Sequence, residues 1–313
     1  ALNFYPCLIK YDANYNEVMR RVYLGSIFRQ DLFLHLKELP NNNLLLVAAF
    51  ESRDGDFAGI DTSATSCFKV MVAEIDTFGT ILKYQLYRNC GMTYPTQVDF
   101  DKHGNIYVAG YTAATDFDFS ANPEGGLTTN AFLIRLDKNL NKKWVKIMHA
   151  QGDQDIEPCI AINNKDEILF ATYTNDYPNG FLTASSPTLG GKIFLSCIDS
   201  NQQLLLQKCF GSQVGISLGL GEATSKLMHD SIHNQTYIVG YCNTKNGDMY
   251  DSLDKNLYSS LSTYTIKVDS LGNKIWSHRY GAFSPSNPVN GDYRSVMGNG
   301  RGVLNSSISL LRA

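Results

Sequence analysis

Charge is scarce in this chain. Asp, Glu, Lys and Arg make up 18% of its 313 residues, and the formal net charge is -3. A balance so near neutrality carries no basic footprint for nucleic acid or an anionic membrane surface. Long apolar runs are missing. The densest, residues 44–50, falls far short of the roughly 18 residues that a spanning helix needs. Helical periodicity is missing as well, since no stretch repeats apolar residues at i, i+3, i+4 and i+7 between capping residues. The seven cysteines (Cys7, Cys67, Cys90, Cys159, Cys197, Cys209 and Cys242) contain no C-x-x-C pair, which argues against a zinc site. Most sit in or beside apolar runs, where free Cys behaves as a small hydrophobe; one disulfide is compatible with export. There is no G-x-S-x-G elbow, and the glycine-rich stretches 215–221 and 298–302 lack the Lys-Ser/Thr of a phosphate loop. The sequence begins at Ala1 and shows neither a start methionine nor a signal peptide, as would a chain whose leader has been removed.

What the chain does have is aromatic residues and a repeat. Tyr and Phe number 18 and 16, a composition that suits pleated sheets. An alternating run ends in Asp five times, at Asp12, Asp76, Asp137, Asp199 and Asp269, about 64 residues apart. A short Asn- or Gly-bearing turn follows each Asp, then a second strand, which carries Trp144 and Trp276 in two copies. The strongest strand comes later in the unit, in 44–50, 105–112, 167–174 and 235–242, after turns such as 101–104 and 163–166. Ala49, Gly110, Thr172 and Gly240 share one register in it, which predicts close backbone approach near a crowded axis. A self-similar unit of this length, built from short strands and turns, predicts an all-β propeller. The expectation is one domain, 1–313, of about five four-stranded repeats (1–64, 65–127, 128–189, 190–259 and 260–313), or part of a larger ring.

The units resemble the delta-60 and SBBP-type propeller repeats of bacterial secreted and surface proteins. The likeness rests on 264–276 with Arg279, Tyr280 and Gly281, on 103–112, and on the acidic loops 52–57 and 245–248. The Asp-Gly-Asp form and the 269–273 turn look most like copies from Bacteroidetes. Thr172 in the third unit, where glycine is usual, and the C-terminal end depart from the pattern. Such a resemblance implies export and a binding or structural role, and carries over no catalytic residue.

Candidate sites are few. Asp54, Asp56 and Asp61, Asp116 and Asp118, and Asp248, Asp251 and Asp254 form acidic clusters in glycine-bearing loops. Hard cations take six to eight oxygens, so a structural Ca²⁺ is the one ion these loops could hold; the plainer reading is that they make turns. No cofactor is otherwise expected. The five repeat Asp residues read as turn caps, because a catalytic site would break the symmetry that architecture imposes. Glu51, Glu74, Glu157 and Glu222 are unpaired in sequence and give no dyad for glycoside hydrolysis. His229 and His233 are four apart but lie in a loop and strand start.

The residues therefore point to a non-catalytic scaffold or binding module of an exported or cell-surface protein. It would engage a protein through blade loops, with 119–127, 177–190 and 212–231 as the longer insertions. Tyr177, Tyr250 and Tyr258 are the candidate partner contacts. A carbohydrate-binding propeller is the alternative, and a glycoside hydrolase stands behind it.

Overall fold

A computed structural model describes residues 5–26, 31–60, 67–123, 128–148, 156–174, 192–211, 222–242, 247–249 and 262–280. The fold grows from one local device. Asp12, Asp76, Asp137, Asp199 and Asp269 each turn the chain back on itself. In each, Oδ1 accepts the N–H groups two and four residues ahead, as at Asp199, bonded by Asn201 at 2.9 Å and Gln203 at 2.8 Å. The residue three places on is left-handed: Tyr15, Gly79, Leu140, Gln202 and Gly272, with φ between 63° and 81°. That is the three-residue hairpin whose left-handed position ends in a bulge. Glycine fills it in two copies and larger side chains in three.

These turns join strands into antiparallel sheets. The first sheet has two strands among the described residues, β1 (Cys7–Tyr11) and β2 (Glu17–Val22). Four sheets of four strands follow in chain order. The first holds β3 (Leu32–Glu38), β4 (Leu44–Phe50), β5 (Lys69–Ile75) and β6 (Ile81–Arg88). The second holds β7 (Thr93–Phe100), β8 (Ile106–Thr112), β9 (Asn130–Leu136) and β10 (Lys142–Met148). The third holds β11 (Ile156–Ile162), β12 (Ile168–Thr174), β13 (Lys192–Ile198) and β14 (Leu204–Phe210). The fourth holds β15 (Glu222–Asp230), β16 (Gln235–Cys242), β17 (Ser262–Val268) and β18 (Lys274–Tyr280). Each sheet is a plain meander, as in the blade of a propeller. The repeat counted from Asp to Asp starts at a blade's third strand. Each sequence unit therefore takes two strands from one sheet and two from the next.

The core lies between blades. Strand residues alternate sides, so a central strand feeds two neighbours at once. Ile106 and Val108 of β8 pack with Leu45, Val47, Val70 and Val72 of the preceding blade. Tyr107 and Ala109, between and after them, pack with Ile160, Ile168 and Phe170 of the following blade. The same division sets Cys159, Leu169 and Leu195 against Leu227, Ile238 and Ile266. Tyr23 and Leu8 of the first hairpin join Leu46, Ala48 and Met71. Burial on both faces explains why the central strands read as nearly unbroken apolar runs.

Gly110 sits at a close approach. A Cβ there would lie 2.3 Å from the Phe132 ring and 2.4 Å from the Tyr94 carbonyl oxygen. The crowding comes from the two strands that flank β8 in its own blade, β7 and β9.

Cys67 and Cys90 form a disulfide, with Cα atoms 4.7 Å apart. It lies two residues beyond the Lys69–Arg88 pair that ends the β5–β6 ladder. Cys159 is buried outside any disulfide, and burial pushes its thiol up.

Replacing Gln202 with Gly relieves the left-handed strain without touching a bond, and should raise stability by about 0.5–1 kcal/mol. Asp199→Ala removes the acceptor of two N–H groups and should lower it. Urea denaturation of both variants reads the opposite signs; equal signs would contradict this account of the turn.

Candidate functional site

Two regions place polar groups together: the meeting of the first strands, and the rim. β7 packs against β3 and β11, and β11 packs against β15. Each of the four carries a register shift toward its start, between Phe33 and His35, Pro95 and Gln97, Ile156 and Cys159, and Thr224 and Lys226. A bulge bends its strand and re-aims the side chains beside it. Here the side chains at and after the bulges reach the neighbouring first strands.

His35 Nε2 bonds the Thr96 carbonyl oxygen, and Thr96 Oγ1 donates to the Pro158 carbonyl. Lys37 forms an ion pair with Asp99, whose Oδ2 accepts the Ile162 N–H at 3.1 Å. Gln97 reaches furthest. Its Nε2 donates to the Leu227 carbonyl at 3.1 Å and its Oε1 accepts the Leu227 N–H at 3.4 Å, which ties the second blade to the fourth. Thr224 Oγ1 donates to the Glu157 carbonyl at 2.7 Å. Glu157 has φ of 53°, a left-handed conformation that costs a residue with a side chain about 1–2 kcal/mol.

A carbonyl only accepts, so His35 Nε2 carries the proton. Burial first, and the positive charge of Lys226 second, hold the His35 pKa down at about 4 from 6.5. His229 on β15 is also lowered, chiefly by burial. Its Nδ1 lies 3.1 Å from Thr236 Oγ1. His233, in the turn beyond, bonds Asp230 at 2.6 Å instead, so the two histidines serve separate partners. Among the described residues, no three His, Cys, Asp or Glu side chains gather to hold a metal ion.

Glu74 is a structural group. Burial opposes its charge, but bonds from Lys83, Asn43 and Asn41 outweigh it and bring the pKa to about 2.

At the rim, the acidic loops work as staples. Each follows a blade's second strand and grips the end of the last strand of the preceding sheet. Asp56 Oδ2 accepts the Leu24 N–H at 2.7 Å, and the Asp56 N–H returns a bond to the Leu24 carbonyl at 2.8 Å. Asp118 Oδ2 accepts the Arg88 N–H at 2.7 Å, and Asp116 Oδ1 accepts the Cys90 N–H at 2.9 Å. Asp248 exchanges the same pair of bonds with Gly211, at 3.0 and 3.2 Å. Asp54 accepts the Ser26 hydroxyl at 2.7 Å. Lys142 and Lys274 pair with Asp118 and Asp248 at 2.7 and 3.0 Å, and Arg21 lies 3.6 Å from Asp56. These carboxylates spend their oxygens on N–H groups, a hydroxyl and cations of the chain itself. Asp61, Asp251 and Asp254 lie outside the described residues, as do Tyr177, Tyr250 and Tyr258.

Beside the second staple is a cavity of about 390 Å³, lined by Gln85, Leu86, Arg88, Phe117, Asp118 and Lys142. Sequence reading passed over this groove and the axial residues Thr96, Gln97, Asp99 and Lys226. A signal for the groove was there: Phe117 stands in Asp-Phe-Asp where the first loop reads Asp-Gly-Asp. The axial bulges leave no such mark in sequence.

Residues 92–118 match the SBBP β-propeller repeat. That SBBP segment runs from the first strand of the second blade, through β8, to the Asp116–Asp118 turn. The staple is thus part of the repeat unit. No curated protein matches the chain. Among solved structures, a point mutant of Synechocystis apocarotenoid oxygenase aligns at 10% identity and a TM-score of 0.42, over 88% of this chain and 56% of that one. A DUF4221 family member from Bacteroides vulgatus aligns at 8% identity and 0.37, over 83% and 87%. The chain therefore spans just over half the length of the oxygenase.

His35 gives the axis a pH signature. Its folded pKa lies below its unfolded value, so its contribution is complete above pH 6.5 and lost as pH falls through about 4. The loss should be on the order of 3 kcal/mol. Urea midpoints measured across that window should fall for the native chain and flatten for His35→Gln; parallel curves would contradict a neutral, buried His35.

Proposed function

We propose that the chain is a non-catalytic binding propeller of an exported or cell-surface protein, which holds a protein partner at its blade loops and rim. One observation carries this reading: the polar groups of the first strands are bonded to one another. An active site needs groups aimed at a reacting atom in a pocket. Here Gln97, Thr96, Asp99 and Lys37 are directed at neighbouring strands, and Gln97 spans from the second blade to the fourth. The rim carboxylates are likewise engaged in staples. Ligand contact is left to the surface between and beside the staples.

Export is supported by two features. The disulfide between Cys67 and Cys90 belongs to an oxidising compartment, and the SBBP repeat resembles those of secreted proteins. No helix among the described residues is long and apolar enough to cross a membrane.

The test is capture of surface and secreted proteins from the native source on the immobilised chain, quantified by mass spectrometry. One partner in near-equal amount, lost when 177–190 is replaced, is the expected result. Retention of glycan alone, or steady turnover of a polysaccharide by the purified chain, would overturn it.

A further inference from the structure

The fourth four-stranded sheet buries one face against the third, through Leu227, Ile238, Tyr264 and Ile266. By strand alternation and register, the opposite face carries Thr263, Thr265 and Lys267 of β17 beside Tyr280, His278 and Trp276 of β18. None of these six belongs to a core cluster among the described residues.

Register shows what the repeat places at the same positions elsewhere. Thr263 and Thr265 stand where the first sheet has Val70 and Val72, the second Ala131 and Leu133, and the third Ile193 and Leu195. Those aliphatics are all buried against the following sheet. Tyr280 stands where the others have Tyr87, Met148 and Phe210. These three are 0%, 1% and 4% exposed, whereas Tyr280 is 56% exposed. A face made to receive another sheet keeps an aliphatic centre. This one exchanges that centre for two hydroxyls and stays open at Tyr280.

The side chains that remain point to the occupant. The Trp276 ring lies 4.6 Å from His278, with planes 37° apart, and 6.1 Å from Tyr237 of β16. Lys267 directs its charge over the Tyr237 ring, at 5.2 Å, so the ligand needs no charge of its own. Aromatic rings beside hydroxyls and an imidazole suit a molecule with apolar faces and a hydroxyl rim. A pyranose has that form: its C–H faces stack on rings while its hydroxyls take the hydrogen bonds. Protein hot spots are instead poor in Thr, and protein interfaces are poor in Lys. Trp276 and Tyr280 are four residues apart on one strand, about 13 Å, which is room for a short oligosaccharide rather than a single sugar.

We propose that the outer face of the fourth sheet binds a neutral oligosaccharide. Trp276 and Tyr280 stack on its rings, and Thr263, Thr265 and His278 bond its hydroxyls. The site is additional to the protein-binding one above, and none of its residues takes part in a staple.

The probes are neutral hexasaccharides of glucose, mannose, galactose and xylose, titrated against the full chain by calorimetry. At least one should bind saturably, with a Kd of about 1 mM or tighter. The same titration should shift tryptophan emission, because Trp276 lies on the face while Trp144 packs between sheets. Thr263→Val combined with Thr265→Val installs the residues of the first sheet. It should weaken binding by about tenfold or more while melting no lower than the native chain. Trp276→Leu, which matches Leu206 of the third sheet, should abolish both the heat and the emission shift. No saturation by any hexasaccharide, or full affinity in the double valine variant, would overturn the site. So would a captured protein that the double valine variant loses and that no sugar displaces, because the face would then belong to that protein.

Discussion

Three of the four-stranded sheets, β3–β6, β7–β10 and β11–β14, bury both faces against other sheets, and the rest of the structure follows from that. A four-stranded meander has no core of its own. Val108 serves one neighbour and Tyr107 the other, so removing either blade exposes half of β8. Apolar burial is worth roughly 25 cal/mol per Å², but it is not directional. It presses blades together without setting where each begins or how far it slides.

Hydrogen bonds supply the missing direction at two radii. Near the axis, bulged first strands reach one another through Thr96, Gln97 and Asp99. At the rim, Asp56, Asp118 and Asp248 fix the end of one blade's last strand to the turn of the next blade. A carboxylate accepting backbone N–H groups is among the stronger neutral-to-charged bonds available to a chain. Placed at the first, second and fourth of the four-stranded sheets, it fixes each to the sheet before it. Function can then occupy whatever this frame leaves over, and the outer face of the fourth sheet is where one repeat departs from its fellows.

Much of this was legible beforehand. Alternation and the recurring Asp led to strands, turns and a propeller, because both are local: an Asx turn needs only five consecutive residues, as at Asp269 to Asn273. The phase of the blades was not legible. Repetition is the same wherever counting starts, and only hydrogen bonds between strands show that β3 to β6 form one sheet. Asp54, Asp56, Asp116, Asp118 and Asp248 were visible as acidic loops with two readings, metal or turn. Their partners, from Leu24 to Gly211, lie about 30 residues away in sequence, and nothing local marks them. The axial network escaped for the same reason, since Gln97 and Leu227 are separated by 130 residues.

The staple is the central claim, and amide hydrogen exchange tests it most directly. Leu24, Arg88 and Gly211 lie at strand ends, where exchange is ordinarily fast. If Asp56, Asp118 and Asp248 hold them, their N–H groups should exchange as slowly as those of β8, with a chelator present throughout. Fast exchange at all three, or protection that appears only on adding Ca²⁺, would contradict the account.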